Sequence, residues 1–343
     1  MNLAESIKED YSLKNLNTFG VDAMARYFIS AGTTAQVYRL FTECDLVRKE
    51  RLLILGGGSN LLFTRDFDGL VVKMDLMGTE ILSDSGGMVE IKAFAGQNWD
   101  ALVSYCVGMG LGGLENLSLI PGTAGAAPVQ NIGAYGAEIS DVLVSVDCWD
   151  RKSMQMVTLS AAECHPGYRT SIFKTSAKDR YVILSVTLRL TRNPVFNVSY
   201  GALEEEMKRT GTGEISLESI RNAVISVRRK KLPDPSRLGN AGSFFKNPEV
   251  TGNVYHELVK TFPGIVGYPQ AGGSYKLAAG WMIEHCGWKG YRKGDAGVHH
   301  EQALVLVNYG NATGVEILDL AIEISQSVMK RFGIELEKEV NIL

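Results

Sequence analysis

Paired cysteines are missing from this chain. Its five cysteines, Cys44, Cys106, Cys148, Cys164 and Cys286, form no C-x-x-C pair and are odd in number, which argues against a disulfide framework and for reduced thiols. Histidine is scarce as well. Of the five, His165, His256, His285, His299 and His300, none has a partner at i+4, and the adjacent His299 and His300 would point to opposite faces of a strand. "ECH" and "EHC" offer mixed donors, but such neighbour pairs are more often structural, so no metal site is expected. No run approaches the roughly 18 apolar residues of a membrane span. "MNLAESIKEDYSLK" at the start has no apolar stretch of a secretory leader. A large excess of one charge is also absent: at a net −3, no global field draws the chain to nucleic acid or anionic lipid. These absences leave a soluble, cytoplasmic protein as the expectation, with no nucleic-acid or membrane partner and a monomeric state.

What is present is ordinary globular material, 45% apolar and 21% charged over 343 residues, enough for two or three domains with substantial cores. "RLLILGGGSN" at 51–60 predicts a buried strand entering a glycine turn, and "GLVVKM" and "GMVEIKAFAG" predict further strands. "NWDALVSYCVGMG" predicts a helix capped by Asn98 and stopped by the glycines from Gly108. "DVLVSVDCWDRKSMQMVTLS" predicts a hairpin turning at "DRKS", and "RYVILSVTLRL" another strand. After about residue 213 helices take over: "LESIRNAVISVRRKKLP", "VYHELVKTFP", "YKLAAGWMIEHCGW" and "TGVEILDLAIEISQSVMKRFG", the last terminated by Gly333. "ALVLVN" and the closing "IELEKEVNIL" predict strands. A domain boundary is placed near 213.

The stretch "IPGTAGAAPVQNIGAYGAE", residues 120–138, holds four glycines, five alanines and no basic residue. Two origins fit it: tight turns in a crowded core, or a cradle in which a flat or anionic group lies against peptide N–H groups. "GGGSN" follows a strand but has no GK[ST], and no helix follows it. The G-x-G-x-x-G at Gly108, Gly110 and Gly113 closes a helix where a dinucleotide fingerprint would open one. A Rossmann dehydrogenase is therefore not expected. Backbone N–H nests from the loops 56–60 and 121–136 are able to enclose a pyrophosphate without lysine.

Residues 227–248, "VRRKKLPDPSRLGNAGSFFKNP", carry six cations: Arg228, Arg229, Lys230, Lys231, Arg237 and Lys246. The first four complement the dipole of a helix C-terminus, and the mixture also suits a pocket for a phosphorylated substrate. Ser243, between glycine and two phenylalanines, is either poised for proton transfer or a local turn cap.

Taken in order, "NTFGVDAMA", "LILGGGSNLLF", "GLENLSLIPGTAGAAPVQNIGAYGAE", "GYRTSIFK", "KLPDP", "NAGSFFKNP", "YKLAAGWMIE" and "LEKEV" resemble the UDP-N-acetylenolpyruvoylglucosamine reductase family of bacterial peptidoglycan synthesis. The resemblance runs from about Asn17 to Val340. It implies an α+β fold, with a two-part FAD-binding domain of the vanillyl-alcohol-oxidase (PCMH) type and an α+β substrate-binding domain. The implied division is 1–70 and 71–213 for the flavin, and 214–333 for the substrate, with a strand over 334–343 that returns to the first part. FAD, held without a covalent tether, would lie against Gly56, Gly57, Gly58, Ser59 and Asn60 on one side. Pro121, Gly122, Thr123, Gly125 and Ala126 would meet it on the other, with Asn131, Gly133, Tyr135 and Gly136 continuing that loop. Many members carry two serines where this chain has Ala126 and Ala127, so hydroxyl contacts to FAD are lost there while backbone donors remain.

In the implied reaction NADPH gives a hydride to FAD, and the enolpyruvyl ether of UDP-N-acetylglucosamine then takes it at the terminal vinyl carbon. The enolate left beside the carboxylate needs charge stabilisation and a proton. The matched motifs place Arg169 and Glu339 at the carboxylate and make Ser243 the proton donor. Alternation alone puts Glu335, Glu337 and Glu339 on one strand face, and only the motif selects Glu339. Lys231, Asn247 and Gln302 match nucleotide-sugar positions, with Arg228 and Lys276 as additions, and Tyr200 resembles the tyrosine of a mobile loop in the longer subfamily. Two alternatives stand beside this function. One is an FAD-dependent oxidase of the same superfamily. The other is a nucleotide- or RNA-binding module using the basic cluster 228–231.

Overall fold

The computed structural model describes residues 6–210 and 215–343, so the boundary expected at 213 lies outside the described residues. The described residues form two compact units. The first takes those up to Tyr11, Ala25–Gly57, and those from Asp68 to Lys230; the second takes Ser12–Met24, Gly58–Phe67 and Lys231–Leu343.

In the first unit a four-stranded sheet has the order Lys8–Ser12, Met24–Ala31, Phe67–Met74, Leu52–Leu55, with the last two parallel. Helix α1 (Thr34–Glu43) starts from a reciprocal cap: Thr33 Oγ1 accepts the Gln36 N–H, and Gln36 Oε1 accepts the Thr33 N–H. Val37, Leu40 and Phe41 of α1 share a core with Leu70, Val72 and Met74 of the sheet, joined by Val47 from the short helix α2 (Leu46–Lys49).

The second sheet of this unit is antiparallel throughout, in the order Gln155–Ser160, Leu143–Asp150, Tyr181–Thr191, Met88–Phe94, Thr79–Ser85. The predicted hairpin at "DRKS" joins its first two strands. Helix α3 (Trp99–Gly108) begins at Asn98, whose side chain accepts the Ala101 N–H at 2.9 Å, and it buries Trp99, Leu102, Val103 and Cys106. Helices α4 (Gly201–Thr210) and α5 (Leu217–Lys231) share a small core of Leu203, Ile220, Ala223 and Val224, against which Tyr135, Phe196 and Val198 pack.

The second unit holds an antiparallel sheet in the order Gly239–Ser243, Val305–Asn308, Ala296–Val298, Arg292–Lys293, and a smaller one of Glu249–Thr251, Ser274–Leu277 and Gly267–Pro269. Its helices are α6 (Gly252–Thr261), α7 (Ala279–His285) and α8 (Gly314–Phe332). Thr313 and Glu316 cap the start of α8 reciprocally, and Gly333 ends it at φ +68.

Two expectations are corrected here. Residues 275–277, read as the start of a helix, belong to Ser274–Leu277, the middle strand of the three-stranded sheet, and α7 begins only at Ala279. The closing segment is mostly not ladder: Asn341–Ile342 pairs in parallel with Leu61–Leu62, and Lys338 bridges Phe245. Its alternation survives as burial, with Ile334, Leu336 and Val340 inside. The end of the chain is tied down by Leu343 N–H to Leu62 O at 2.9 Å and by the Thr64 N–H and hydroxyl to Leu343 O.

Candidate functional site

In the first unit the two bare loops meet backbone to backbone. A Cβ on Gly57 would lie 2.9 Å from Gly122 Cα, and one on Gly56 would lie 2.8 Å from Thr123 Oγ1, so neither position has room for a side chain without the opposite loop moving. The Thr123 hydroxyl is buried and has no hydrogen-bond partner among the described residues. The short 3₁₀ segment that follows, Ala124–Gln130, is locked to its surroundings. The N–H groups of Ala124, Gly125 and Ala126 donate to the carbonyls of Gln97, Ala95 and Thr123 at 2.8, 3.0 and 3.0 Å. Those three donors are engaged, whereas the Thr123 hydroxyl beside them is not.

Four non-glycine residues around this loop hold left-handed backbone: Leu119 at φ 58, Asn131 at 46, Tyr135 at 50 and Arg169 at 54. Such conformations persist only where surroundings over-determine them, and here each determinant is visible. Buried Asn131 donates to Glu138 Oε2 at 2.6 Å and accepts the Ser140 N–H. Arg169 Nη2 donates to Gly133 O at 2.8 Å. Buried Asn116 donates to Tyr135 O at 2.9 Å and to Asn197 O at 2.8 Å, and Asn197 donates to Gly136 O at 3.1 Å. The segment leading to Tyr200 is thereby tied to the loop, and the Tyr200 ring meets the Tyr135 ring edge-on at 5.4 Å.

Helix α5 delivers Arg228 to the same place. Its Nε donates to Leu119 O at 3.2 Å, and its guanidinium stands near the Tyr135 hydroxyl. Burial lowers the Arg228 pKa from its ordinary value and the neighbouring charge of Arg169 lowers it further, while Tyr135 and Asp100 oppose them. Burial raises the Tyr135 hydroxyl's pKa, with Arg228 opposing. Arg169, Tyr135, Tyr200 and Arg228, predicted separately from sequence, therefore form one cluster. Of the other cations at the end of α5, Lys230 binds buried Glu206 at 2.6 Å, and Arg229 and Lys231 are exposed.

The second unit holds the other candidates. Gly58 has φ +64, and a Cβ there would strike Leu16 O, so only glycine fits. Ser243 ends its strand after a register shift, next to Gly242 at φ +71, and the turn is capped by Asn240 Oδ1, which accepts the Gly242 N–H at 3.0 Å. Among the described residues the Ser243 hydroxyl takes part in no hydrogen bond. Beyond it, Phe244–Lys246 runs antiparallel to the closing segment: the Glu339 N–H donates to Phe244 O at 2.8 Å and the Lys246 N–H to Glu337 O at 2.9 Å. This pairing sets Glu339 opposite Phe244, the residue after Ser243, and Asn60 Nδ2 adds a bond to Glu339 O at 3.3 Å. Glu337 is exposed and pairs with Lys246, whereas Glu339 is half-buried.

Asn247 Oδ1 accepts the Ala279 N–H at 3.0 Å, and Gln302 Oε1 lies 3.2 Å from where a Cβ on Gly280 would stand, so these two are brought together at the start of α7. Lys276 sits in the three-stranded sheet opposite Glu249 and Tyr268. Among the described residues no group of three or more His, Cys, Asp or Glu is placed to hold a metal ion, and no helix is long and apolar enough to cross a membrane.

Sequence reading missed Asp100, Arg221 and Asn116. Their partners lie far along the chain, and the one local signal is that Arg221 and Arg228 stand two helical turns apart on α5.

Comparison with known proteins gives the same assignment for both units. A family model described as FAD binding domain matches residues 25–159, and one described as UDP-N-acetylenolpyruvoylglucosamine reductase, C-terminal domain, matches 234–343. The UDP-N-acetylenolpyruvoylglucosamine reductases of Pseudomonas putida and Flavobacterium johnsoniae are 48% and 46% identical to this chain, over 98% of it and 98% and 99% of theirs. The crystal structure of the reductase from Thermus caldophilus superposes with a TM-score of 0.65 at 25% identity, covering 98% of this chain and 97% of that one. A solvent-stable cholesterol oxidase, at 13% identity and a TM-score of 0.50, shares the fold.

The fold is the two-part vanillyl-alcohol-oxidase type of FAD-binding domain with a second α+β domain, and the cofactors are FAD with NADPH as hydride donor. The residues present fit FAD: two loops too close for side chains, and a buried threonine hydroxyl between them that lacks a partner. This chain belongs to the UDP-N-acetylenolpyruvoylglucosamine reductase family of FAD-dependent oxidoreductases.

Proposed function

We propose that this protein reduces the enolpyruvyl group of UDP-N-acetylenolpyruvoylglucosamine to the lactyl group of UDP-N-acetylmuramate, with NADPH as reductant, in peptidoglycan precursor synthesis in the cytoplasm. The observation that carries it is the pairing of Phe244–Lys246 with the closing segment, which sets Glu339 opposite the residue after Ser243, although Ser243 and Glu339 are more than 90 positions apart in sequence. An oxidase of the same superfamily has no use for a proton donor beside a carboxylate.

FAD, when bound, supplies the hydride for the vinyl carbon. Gly56, Gly57, Gly58, Ser59 and Asn60 hold it from one side, and the loop from Pro121 through Gly136 from the other. Thr123 offers its unpartnered hydroxyl, while Ala126 contributes no side-chain hydrogen bond. The chain's own side chains handle charge and proton. Arg169 and Glu339 flank the substrate carboxylate, with the Arg169 guanidinium offsetting negative charge that grows on its oxygens. Ser243 Oγ gives a proton to the carbon beside that carboxylate. An alcohol is a weak acid in water, but an enolate carbon is a strong base, and the Ser243 hydroxyl is not committed to a cap. Arg228, Lys231, Asn247, Lys276 and Gln302 bind the nucleotide sugar, and Tyr200 closes over its diphosphate and excludes water. In the same proposal residues 1–70 and 71–213 serve the flavin and 214–333 the substrate, with 334–343 returning to the first part.

Purified protein should be yellow and should release its flavin on acid denaturation. It should also turn over NADPH beyond one equivalent per flavin only when UDP-N-acetylenolpyruvoylglucosamine is added. NADPH oxidation that proceeds with oxygen alone and ignores the sugar nucleotide would favour the oxidase instead.

A further inference from the structure

The cluster around Arg228 rests on a carboxylate with no role in the reaction described above. Asp100, in the first turn of α3, accepts the Leu119 N–H on Oδ1 at 2.6 Å, and Arg221 clasps it with Nη1 to Oδ1 at 2.7 Å and Nη2 to Oδ2 at 3.1 Å. Both side chains are largely covered, Arg221 at 12% exposure and Asp100 at 27%. Leu119 is one of the left-handed residues, and its carbonyl is the acceptor for Arg228 Nε. One peptide turn thus joins two contacts: its N–H is fixed by Asp100 and its C=O fixes Arg228. The guanidinium held in this way stands near the Tyr135 hydroxyl and near Arg169, a like charge.

We infer that Asp100 is a positioning residue for substrate binding: by holding the Leu119 turn in its left-handed form, it aims Arg228 at the anionic part of the sugar nucleotide. This rests on the proposed function, in which Arg228 contacts that substrate. Three physical points support it. An isolated leucine at φ 58 is unfavourable and needs an external constraint, which the short bond from a carboxylate supplies. Arg221 and Arg228 are seven residues apart on α5, so they share a face of that helix, and Asp100 reaches the first directly and the second through Leu119. Asp100 also supplies a negative charge close to guanidiniums that would otherwise repel one another. Although burial by itself would raise its pKa, the hydrogen bonds from Arg221 and the Leu119 N–H, with the charges of Arg221 and Arg228, hold it below the usual carboxylate range.

A plain tether between α3 and α5 makes a different prediction, and two single variants separate them. Arg221→Ala breaks the ion pair but leaves a carboxylate to accept the Leu119 N–H. Asp100→Asn keeps the shape but weakens the charged acceptor on which the turn depends. Both are expected to lower the melting temperature by similar amounts. Calorimetric titration of the oxidised holoenzyme with UDP-N-acetylenolpyruvoylglucosamine should show Asp100→Asn weakened on the order of 10-fold, the scale of one charge-assisted hydrogen bond. Arg221→Ala should stay within about threefold of wild type, and bleaching of the flavin by NADPH should be unchanged in both. If the two variants lose affinity equally, or Asp100→Asn loses none while wild type binds, Asp100 is a tether and the inference is overturned alone. If wild type fails to bind this sugar nucleotide, the proposed function falls with it.

Discussion

The two units carry their candidate residues on opposite materials. In the first, the loop from Leu119 to Gly136 is backbone under constraint: left-handed leucine, asparagine and tyrosine, Gly57 against Gly122, and side-chain amides that bond Tyr135 O and the Glu138 carboxylate. In the second, Ser243 follows a register shift at Gly242 and Glu339 is carried by a short antiparallel pairing of main chain with Phe244, whose hydrogen bonds do not depend on the side chain. Substitution in the first region should therefore fail through shape, taking the cofactor with it. In the second it should fail through chemistry, with the fold intact.

The largest effect expected from this contrast is at Ser243. Ser243→Ala should leave reduction of the flavin by NADPH untouched and slow oxidation by the sugar nucleotide by about 10²–10⁴-fold, the usual scale for a lost general acid. Ser243→Cys should recover part of the rate, because a thiol is the stronger acid. Stopped-flow absorbance at the flavin band, with each substrate supplied alone, reads the two halves separately. Equal slowing of both halves would take Ser243 out of the chemistry and return it to the turn.

Gly57→Ala tests the other side of the contrast. Its Cβ meets main chain and not a yielding side chain, so the loops must part. Overpacking of that kind costs about 1–3 kcal/mol, or roughly 5- to 150-fold in flavin affinity. The variant should purify partly colourless with a near-native far-ultraviolet spectrum, and titration with FAD should report the weaker constant. Full flavin content would show that the close approach of Gly57 to Gly122 does not define the cofactor site.

These two regions were also unequally legible in sequence. The glycine and alanine content of 120–138 marked a bare loop, but composition alone left crowded turns and a cradle equally open. The constraint from Asp100 was invisible, because Asp100, Leu119 and Arg221 span more than 120 positions and carry no local pattern. Local signals did well where the cause was local: the Asn98 cap, the Gly333 terminator and the hairpin at "DRKS" all stand as predicted. They failed at residues 275–277, whose alanine-rich continuation suggests one helix. The strand is imposed by its two neighbours, Glu249–Thr251 and Gly267–Pro269. Helix α4 was missed because its exposed face is a run of glutamates and only Leu203 and Glu206 are buried on it.

A loss of similar size, but in substrate rather than flavin affinity, is expected at Lys231, the last residue of α5. A fixed ammonium at a diphosphate contributes a charge-assisted contact of about 1.5–3 kcal/mol, so Lys231→Ala should weaken sugar-nucleotide binding by roughly 10- to 150-fold while flavin content stays the same. The alternative, in which this exposed lysine only complements the helix dipole, predicts a lower melting temperature and an unchanged substrate constant. Calorimetry and a thermal melt on the same preparation decide between them.

The smallest effect should appear at Glu337, and it sharpens the contrast most finely. Glu337 and Glu339 sit two residues apart on one segment and share a face by alternation. Their surroundings differ: Glu337 is exposed and pairs with Lys246, while Glu339 is half-buried with both its N–H and C=O engaged by Phe244 and Asn60. An exposed ion pair contributes about 0–1 kcal/mol, so Glu337→Gln should move the melting temperature by a few degrees at most and leave turnover within about twofold. Glu339→Gln keeps the same backbone bonds and nearly the same volume, so it should melt like wild type, yet it should slow the half-reaction with the sugar nucleotide. If Glu337→Gln slows turnover as much as Glu339→Gln, the register of the closing segment is what the site requires and the Glu339 carboxylate has no separate part. If neither slows it, Ser243 works without an acidic neighbour, and the pairing of Phe244 with Glu339 serves only to anchor the end of the chain.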